Sequence, residues 1–371
     1  MAGGGNGNGN GNGNGNGNGN GNGNNIEVSS SEAIMPEADG RNIACPLSLG
    51  RDLLCEDYSA IHLQLLYRVE DRLGSDAQQF MPRGRELFAR CVREAFTAAY
   101  LMDALVAAAA AHKSTTGTAA APGEGEEQAA AAIFFYQAEA TRLLTRSLAK
   151  FNAQDEITED RAVAAFLYTM LLGQLVLFDM FSRGGDSVGV LDRFVHCVKL
   201  HHGIRNVVAP VWHRVRPVLG LGPGGGCHLA EWVSDGVPHK GGPASECAPL
   251  WQLLGRGDVS SSSRRAYSSA VEALQMMFDR TRGWPTNRMA AVQEWLVRVP
   301  VDFVDLIAQR RPEALVILAY YAVLLHRARG FWAVAGSGRF LIQSITGYLG
   351  EYWSQWLEWP NEVLQQASHQ H

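Results

Sequence analysis

The sequence predicts an all-α protein of roughly ten or more helices, preceded by a disordered N-terminal tail. Apolar residues recur at helical spacing through most of the chain after residue 57. Two runs, Ala162–Phe178 and Ala314–Leu325, carry no charge at all, which is typical of helices buried on every side. We find neither a convincing series of alternating strands nor an internal repeat.

The N-terminal stretch from Gly5 to Asn24 is a strict alternation of glycine and asparagine. Such a tract has nothing to bury, so it cannot offset the conformational entropy that it would lose on ordering. We therefore predict a disordered, Gly/Asn-rich tail over residues 1–50.

The first helices follow from apolar periodicity and from helix breakers. Apolar residues between Ile61 and Leu73 suit an amphipathic helix that ends at Gly74, with Tyr67 or Val69 on its apolar face. The sequence predicts one or two further helices over Arg85–Ala111, a small, polar loop over Ser114–Gly125 and a long helix over Glu126–Phe151.

The uncharged run Ala162–Phe178 has 17 residues, which is near the lower length limit for a membrane span. Asp179 follows directly, Thr169 and Gln174 lie inside the run, and no basic cluster flanks it. We therefore predict a buried helix of a helical bundle and no membrane span.

The middle of the chain contains four further predicted helices and one irregular segment. The helices are expected over Val190–Val208, over Val211–Leu219, from the serines at 260–263 to about Arg282, and from Pro285 to about Val297; the glycine-rich segment Gly220–Pro243 separates the second from the third.

The C-terminal part begins with the second uncharged run, which is too short to cross a bilayer and therefore predicts a central core helix. Pro312 suits its first turn, and Gly330 suits a left-handed cap at its end. A loop with two large aromatic residues, Phe331–Gly338, separates it from another predicted helix. Tryptophans 353, 356 and 359 are three residues apart and face roughly one way, and we expect the helix to stop at Pro360.

The length, net charge and cysteine positions of the chain limit the functions that we expect. The chain has 371 residues and a net charge of −5, so it has no broad basic surface for nucleic acid, while its length alone allows two domains. Six cysteines lie at positions 45, 55, 91, 197, 227 and 247, too far apart for a disulfide scaffold. No secretory signal is apparent, so we expect a reducing intracellular compartment.

Three short motifs suggest chemistry, but none has the context that its chemistry needs. Gly185–Gly189 matches the serine nucleophile motif G-x-S-x-G, yet a helix precedes it where a strand is required. Cys197 and His201 have metal-ligand spacing, but no second pair completes a zinc site. The glycines at 220–226 lack the lysine of a phosphate loop. We predict no catalytic residue, no metal site, no cofactor and no enzymatic activity.

The C-terminal stretch resembles the fungal-specific transcription factor domain, the regulatory region of zinc binuclear cluster transcription factors, and most closely its sterol uptake control branch. The residues that carry the resemblance are Pro312, the run from Ala314 to His326, the Phe331–Trp332 loop and the closing Trp356-Leu357-Glu358-Trp359-Pro360. The resemblance spans roughly residues 52 to 366, which favours one large domain over residues 51–366, followed by a short tail over 367–371.

The resemblance implies a nuclear regulator, which could also shuttle from the cytoplasm, and which senses a sterol or another apolar small molecule. It also implies a homodimer or a heterodimer with related regulators. In sterol-sensing relatives the ligand lies among the C-terminal helices, which makes seven residues candidates for ligand binding here: Leu318, Tyr321, Leu325, Phe331, Trp332, Gly336 and Gly338. Ordinary packing at a helix end is the alternative for these residues, and core or interface packing is the alternative for the three tryptophans.

The chain departs from the family because it lacks the six-cysteine zinc cluster and the basic linker that read DNA. Either an upstream exon encodes that cluster, or the chain acts as a free-standing effector domain. We therefore expect no direct sequence-specific DNA contact from this chain. The alternative function is a helical interaction scaffold or a lipid-binding protein without DNA-binding activity. Target genes, including those of a neighbouring biosynthetic cluster, are not encoded in this sequence.

Overall fold

The computed structural model describes residues 58–81, 83–116, 126–154, 157–182, 187–218, 246–256, 260–283 and 285–368, together with a few glycines near the N-terminus. These residues form fourteen α-helices and no strand, which confirms the all-α class. The predicted tail, the Gly220–Pro243 segment and most of the Ser114–Gly125 loop lie outside the described residues.

The helices in chain order are α1 (Ala60–Arg68), α2 (Gly74–Ala77), α3 (Gly84–Ala95), α4 (Ala99–Thr116), α5 (Glu126–Asn152), α6 (Ala162–Ser182), α7 (Ser187–Val218), α8 (Ala248–Arg256), α9 (Ser261–Gly283), α10 (Arg288–Arg298), α11 (Val301–Ala308), α12 (Pro312–Arg327), α13 (Ser337–Leu349) and α14 (Ser354–Ser368).

The first helix does not end at Gly74 as predicted. A π-helical turn, Val69–Leu73, carries it directly into α2. Gly74 is buried beside Phe88 of α3, and a Cβ atom there would make only ordinary contacts at 3.5 Å, so this glycine neither ends the helix nor is required by packing. Val69 is buried and Tyr67 is exposed, which decides between the two alternatives for the apolar face.

Helices α4, α6 and α12 form the centre of the fold. Residues Tyr100–His112 of α4 are buried without interruption. The stretch Glu159–Ser182 is long and apolar enough to cross a membrane by composition, but 89% of its most apolar 18 residues are buried inside the fold. Residues Ala314–His326 of α12 are all buried, as the uncharged run predicts.

Two prolines interrupt the sequence pattern without ending a helix. Pro210 lies inside α7, a single helix where we predicted two, and it faces solvent, where a lost backbone hydrogen bond costs least. Pro360 lies inside α14, which continues to Ser368, so the predicted stop is wrong. Leu357 and Leu364 are buried on either side of it, and their tertiary contacts hold the helix together.

The segment between α12 and α13 also differs from its prediction in detail. Gly330 does not adopt a left-handed conformation, because α12 ends at Arg327 and Ala328, two residues before Gly330, closes it with a φ of −95°. A left-handed φ of 30° occurs instead at Ala335.

In α14, Trp359 packs against Phe278 and Tyr320, with ring centroids 5.5 and 5.0 Å apart.

Candidate functional site

A pocket of about 350 Å³ lies beside the turn between α12 and α13. Its volume is within the range of small-molecule sites. Residues of five helices and of the turn line it. Its apolar wall comprises Phe178, Phe181, Trp332, Val334 and Phe340; its polar lining comprises Thr115, Gln137, Ser182, Arg193 and Ser337.

The turn at the pocket is tightly organised by its own backbone. The amides of Val334 and Ala335 both donate to the carbonyl oxygen of Phe331, at 3.1 and 3.0 Å, and the amide of Ser337 donates to Val334 at 2.8 Å. Ala335, which also lines the pocket, has the left-handed φ noted above. Non-glycine residues in that region are held there only by their surroundings, so this wall stores some backbone strain.

Aromatic contacts place Trp332 between the turn and α6. Its ring lies 5.9 Å from that of Phe178 and 5.5 Å from that of Phe331. Phe331 points the other way and meets Phe80 at 5.7 Å. Phe331 and Trp332 are therefore adjacent in the chain but lie in different environments: Phe331 packs in the core and Trp332 lines the pocket.

Two polar groups of the pocket residues are buried and have no hydrogen-bond partner among the described residues: the indole Nε1 of Trp332 and the hydroxyl of Ser337. A buried donor that is not satisfied costs roughly 1–3 kcal/mol. A hydrogen-bond acceptor placed beside Trp332 would recover part of that cost. The pocket thus has a mainly apolar wall, and two of its lining residues each carry a buried polar atom without a hydrogen-bond partner among the described residues.

Positive charge surrounds the same turn. Arg193 of α7 lines the pocket and donates from Nε to the carbonyl oxygen of Met180 at 3.2 Å. Burial, with help from Arg329, Arg339 and Arg327, lowers the pKa of His326 to about 4. His326 is therefore neutral at pH 7, and the fixed cations near the turn are arginines.

The structure separates the seven predicted ligand-binding residues into two groups. Trp332 and Gly336 line the pocket. Phe331 and Gly338 belong to the same turn and helix start, but they pack into the core and do not line it.

The three candidates in α12 also lie away from the pocket. Leu318, Tyr321 and Leu325 are fully buried within the helical core. Tyr321 stacks on Trp295 with ring centroids 4.2 Å apart and donates to the carbonyl oxygen of Val292 at 3.3 Å. Their position follows from the uncharged character of α12: a helix that is apolar all round is enclosed by other helices and presents no face to an open pocket.

Sequence reasoning missed the part of the site that other helices contribute. Phe178 and Phe181 lie in the last two turns of α6, Arg193 lies nearly two turns into α7, and Phe340 lies in the first turn of α13. No motif connects these positions, which are up to 162 residues apart (from Phe178 to Phe340). In the sequence, the only signal for this region is the apolar end of α12 followed by the aromatic-rich loop.

The remaining motifs are placed as follows. Ser187 begins α7, while Gly185 and Asp186 lie outside the described residues. Cys197 and His201 are both buried, and the imidazole Nδ1 lies 2.8 Å from the carbonyl oxygen of Cys197. Burial raises the pKa of the Cys197 thiol, so it remains protonated. No group of three metal-ligating side chains occurs in the part of the chain that the structure describes. The glycines at 220–226 fall outside that part.

Comparison with models of protein families, with curated proteins and with solved structures finds no match to this chain.

Proposed function

We propose that this chain is the helical regulatory domain of a fungal transcriptional regulator and that it senses an apolar small molecule, a sterol being the first candidate. The pocket beside Trp332 is the observation that carries the proposal. It lies at the aromatic loop on which the family resemblance rests, it has the size of a small-molecule site, and its lining residue Trp332 has a buried indole N–H without a partner, which in this proposal binds a ligand's polar group.

The sensing mechanism would be a population shift. A ligand in the pocket contacts the turn between α12 and α13 and the ends of α6 and α7 together, so it favours the conformation in which these elements are closed around it. Without ligand, the strained turn is free to open and to expose a partner surface or a localisation signal. The ligand can shift this balance only by its difference in affinity for the two conformations.

Nuclear localisation, dimerisation with related regulators and control of a biosynthetic gene cluster belong to the same proposal. DNA would be reached through a separate zinc cluster, on an upstream exon or on a partner. The alternative is a helical interaction scaffold or a lipid-binding protein without DNA-binding activity.

Ligand binding is tested by equilibrium dialysis of the full chain against radiolabelled ergosterol. Gly336→Trp should reduce binding at least tenfold, because Gly336 lines the pocket and a Cβ atom there meets no other atom within 4 Å, so an indole ring at this position has room to block the pocket. Gly347→Trp is the matched control: it also enters open space, but in α13 away from the pocket, and should bind as the unmodified chain does. Equal binding by both variants would contradict the pocket assignment.

A second variant tests the orienting donor. Trp332→Phe keeps an aromatic ring and removes Nε1, so affinity for ergosterol should fall about two- to tenfold, the value of one neutral hydrogen bond. An unchanged affinity would show that the indole does not hold the ligand's hydroxyl group.

The regulatory part is tested separately. The full chain is fused to an unrelated DNA-binding domain in a yeast reporter strain, and reporter output is measured with sterol synthesis intact and inhibited. We expect output to change with sterol level in the unmodified chain and not in Gly336→Trp. Ergosterol binding without any change in reporter output would favour the lipid-binding alternative.

A further inference from the structure

The first half of α5 is apolar and exposed. Residues 129–135 read Ala-Ala-Ala-Ala-Ile-Phe-Phe, and none of them is buried. Phe134 and Phe135 are 70% and 47% exposed, and the first buried residue of the helix is Ala140. An apolar helix segment of two turns normally packs on another element. This surface is distinct from the pocket, and the inference drawn from it deepens the dimerisation part of the proposed function without resting on ligand binding.

One face of α5 is symmetric about the point between Phe134 and Phe135. Moving outward from that point, the positions on this face pair as phenylalanine with phenylalanine (134 and 135), alanine with alanine (131 and 138) and glutamate with arginine (127 and 142). At 100° per residue these six side chains occupy an arc of about 100°. All six residues are exposed.

We propose that this face of α5 is the interface of a homodimer, in which the α5 helices of two copies pack antiparallel about a two-fold axis between Phe134 and Phe135. In that arrangement Ala131 of each copy lies opposite Ala138 of the other, and the small side chains allow the helices to approach closely. The phenylalanines pack against each other at the axis, where aromatic residues contribute most to interface energy.

The charged residues at the two ends of this face, Glu127 and Arg142, favour a second copy of the chain as the partner. Glu127 has no ion-pair partner among the described residues. Its own Arg142 is about 22 Å away along the helix. In the proposed dimer, Glu127 lies opposite Arg142 of the second copy. Arg142 pairs with Glu139 in its own chain at 2.5 Å, and its side chain remains half exposed, so it can bridge to a second carboxylate. A two-fold interface requires a self-complementary patch, and opposite charges at mirrored positions satisfy that requirement.

A neighbouring helix adds area to the interface. His62 of α1 lies 2.7 Å from Glu139 of α5, and Tyr58 lies beside Arg146, so the two helices run antiparallel. The C-terminal end of α1, with Tyr67 78% exposed, is thereby level with the exposed half of α5. It would flank the second copy and increase the buried area beyond that of two helices alone.

The test is sedimentation of the full chain over a concentration series, with the expected dimer at twice the 40.3 kDa of one chain. Glu127→Arg places arginine opposite arginine and should raise the dissociation constant at least tenfold. Arg142→Glu should do the same. The double variant exchanges both charges at once, so it should restore dimerisation to within about threefold of the unmodified chain.

Glu126→Arg is the matched control, because it makes the same charge change one residue away, outside the symmetric face, and should leave the dissociation constant unchanged. Thermal unfolding by circular dichroism shows that each variant is folded. A chain that stays monomeric throughout the series, a Glu127→Arg variant that dimerises normally, or a double variant that fails to recover would each overturn the proposal.

Discussion

A Cβ atom on Gly338 would lie 2.6 Å from the carbonyl oxygen of Ala322. The start of α13 is therefore packed directly on the backbone of α12, and a similar short distance separates this position from the Cα of His326. The turn that lines the pocket connects α12 to α13, so this close approach fixes the position of both ends of the turn.

Replacing Gly338 by alanine should destabilise the fold by about 1–3 kcal/mol or more, because the new methyl group meets backbone atoms that cannot rotate away. Gly347→Ala is the matched control in the same helix. Its Cβ enters open space, so the higher helix propensity of alanine should stabilise the protein by up to about 1 kcal/mol. Urea unfolding measures both. Equal effects of the two substitutions would show that α12 and α13 are not in close contact.

Leu318→Ala should lower the free energy of unfolding by about 2–5 kcal/mol, because this side chain is fully buried in α12 and its removal leaves a cavity. Leu63→Ala makes the same chemical change at a side chain that is 57% exposed and should cost less than about 0.5 kcal/mol. A Leu318→Ala difference under about 0.5 kcal/mol would mean that α12 is not the central helix of the fold.

Asp103 is a fully buried carboxylate in α4 that connects α1 and α5 to the core. It accepts hydrogen bonds from Tyr58 at 2.5 Å and from Arg146 at 2.5 and 2.9 Å, and Lys150 lies 3.0 Å away. Asp103→Asn keeps the shape and removes the charge, so we expect a loss of about 1.5–3 kcal/mol, the range for charged hydrogen bonds.

The control for this substitution is Asp71→Asn, which breaks the pair with Arg72 between two mostly exposed side chains. Surface ion pairs contribute under about 1 kcal/mol, so denaturant midpoints should barely move. If the two substitutions shift the midpoint alike, the buried network does not hold α1 and α5 in place.

Stability should fall as the pH is lowered from 6.5 toward 4. Burial is the main cause that lowers the pKa of His201 and of His326 to about 4, from an ordinary value of 6.5. Between these values the unfolded chain binds more protons than the folded one, so the contribution is complete above pH 6.5 and decreases below it. Each histidine contributes on the order of 1.4 kcal/mol per pH unit in that window.

Urea unfolding at pH 7 and pH 5 tests this directly. His201→Gln should reduce the pH dependence, because one of the buried histidines with a lowered pKa is gone, whatever the effect of the substitution on stability at pH 7. His196→Gln is the control on the same helix at an exposed position. If His201→Gln leaves the difference between pH 7 and pH 5 unchanged, His201 is already accessible to protons in the folded chain.

Long uncharged runs predicted the architecture well because they report a local property. Ala162–Phe178 and Ala314–Leu325 have no polar face, so each had to be enclosed, and both are. Element ends were predicted less well. The sequence predicted a break between Val208 and Val211 and a stop at Pro360, but α7 and α14 each continue through these positions. Tertiary packing outweighed a local preference at these positions.

The candidate site was only half accessible to the same reasoning. The aromatic loop after α12 located Trp332 and Gly336, whereas the reading of α12 as a pocket wall placed Leu318, Tyr321 and Leu325 where the structure has core. A helix that is buried on every side cannot also present a face to a ligand, and the uncharged run Ala314–Leu325 already favoured burial.

The sequence by itself determined the all-α class, the helices at the centre of the fold and the loop beside which a pocket forms, because hydrophobic periodicity and charge-free runs act over neighbouring residues. The tertiary structure alone decided which helices meet at that pocket, the contact of Gly338 with Ala322 and the exposure of α5. Each of these depends on contacts between residues far apart in the chain, and no local pattern records such contacts.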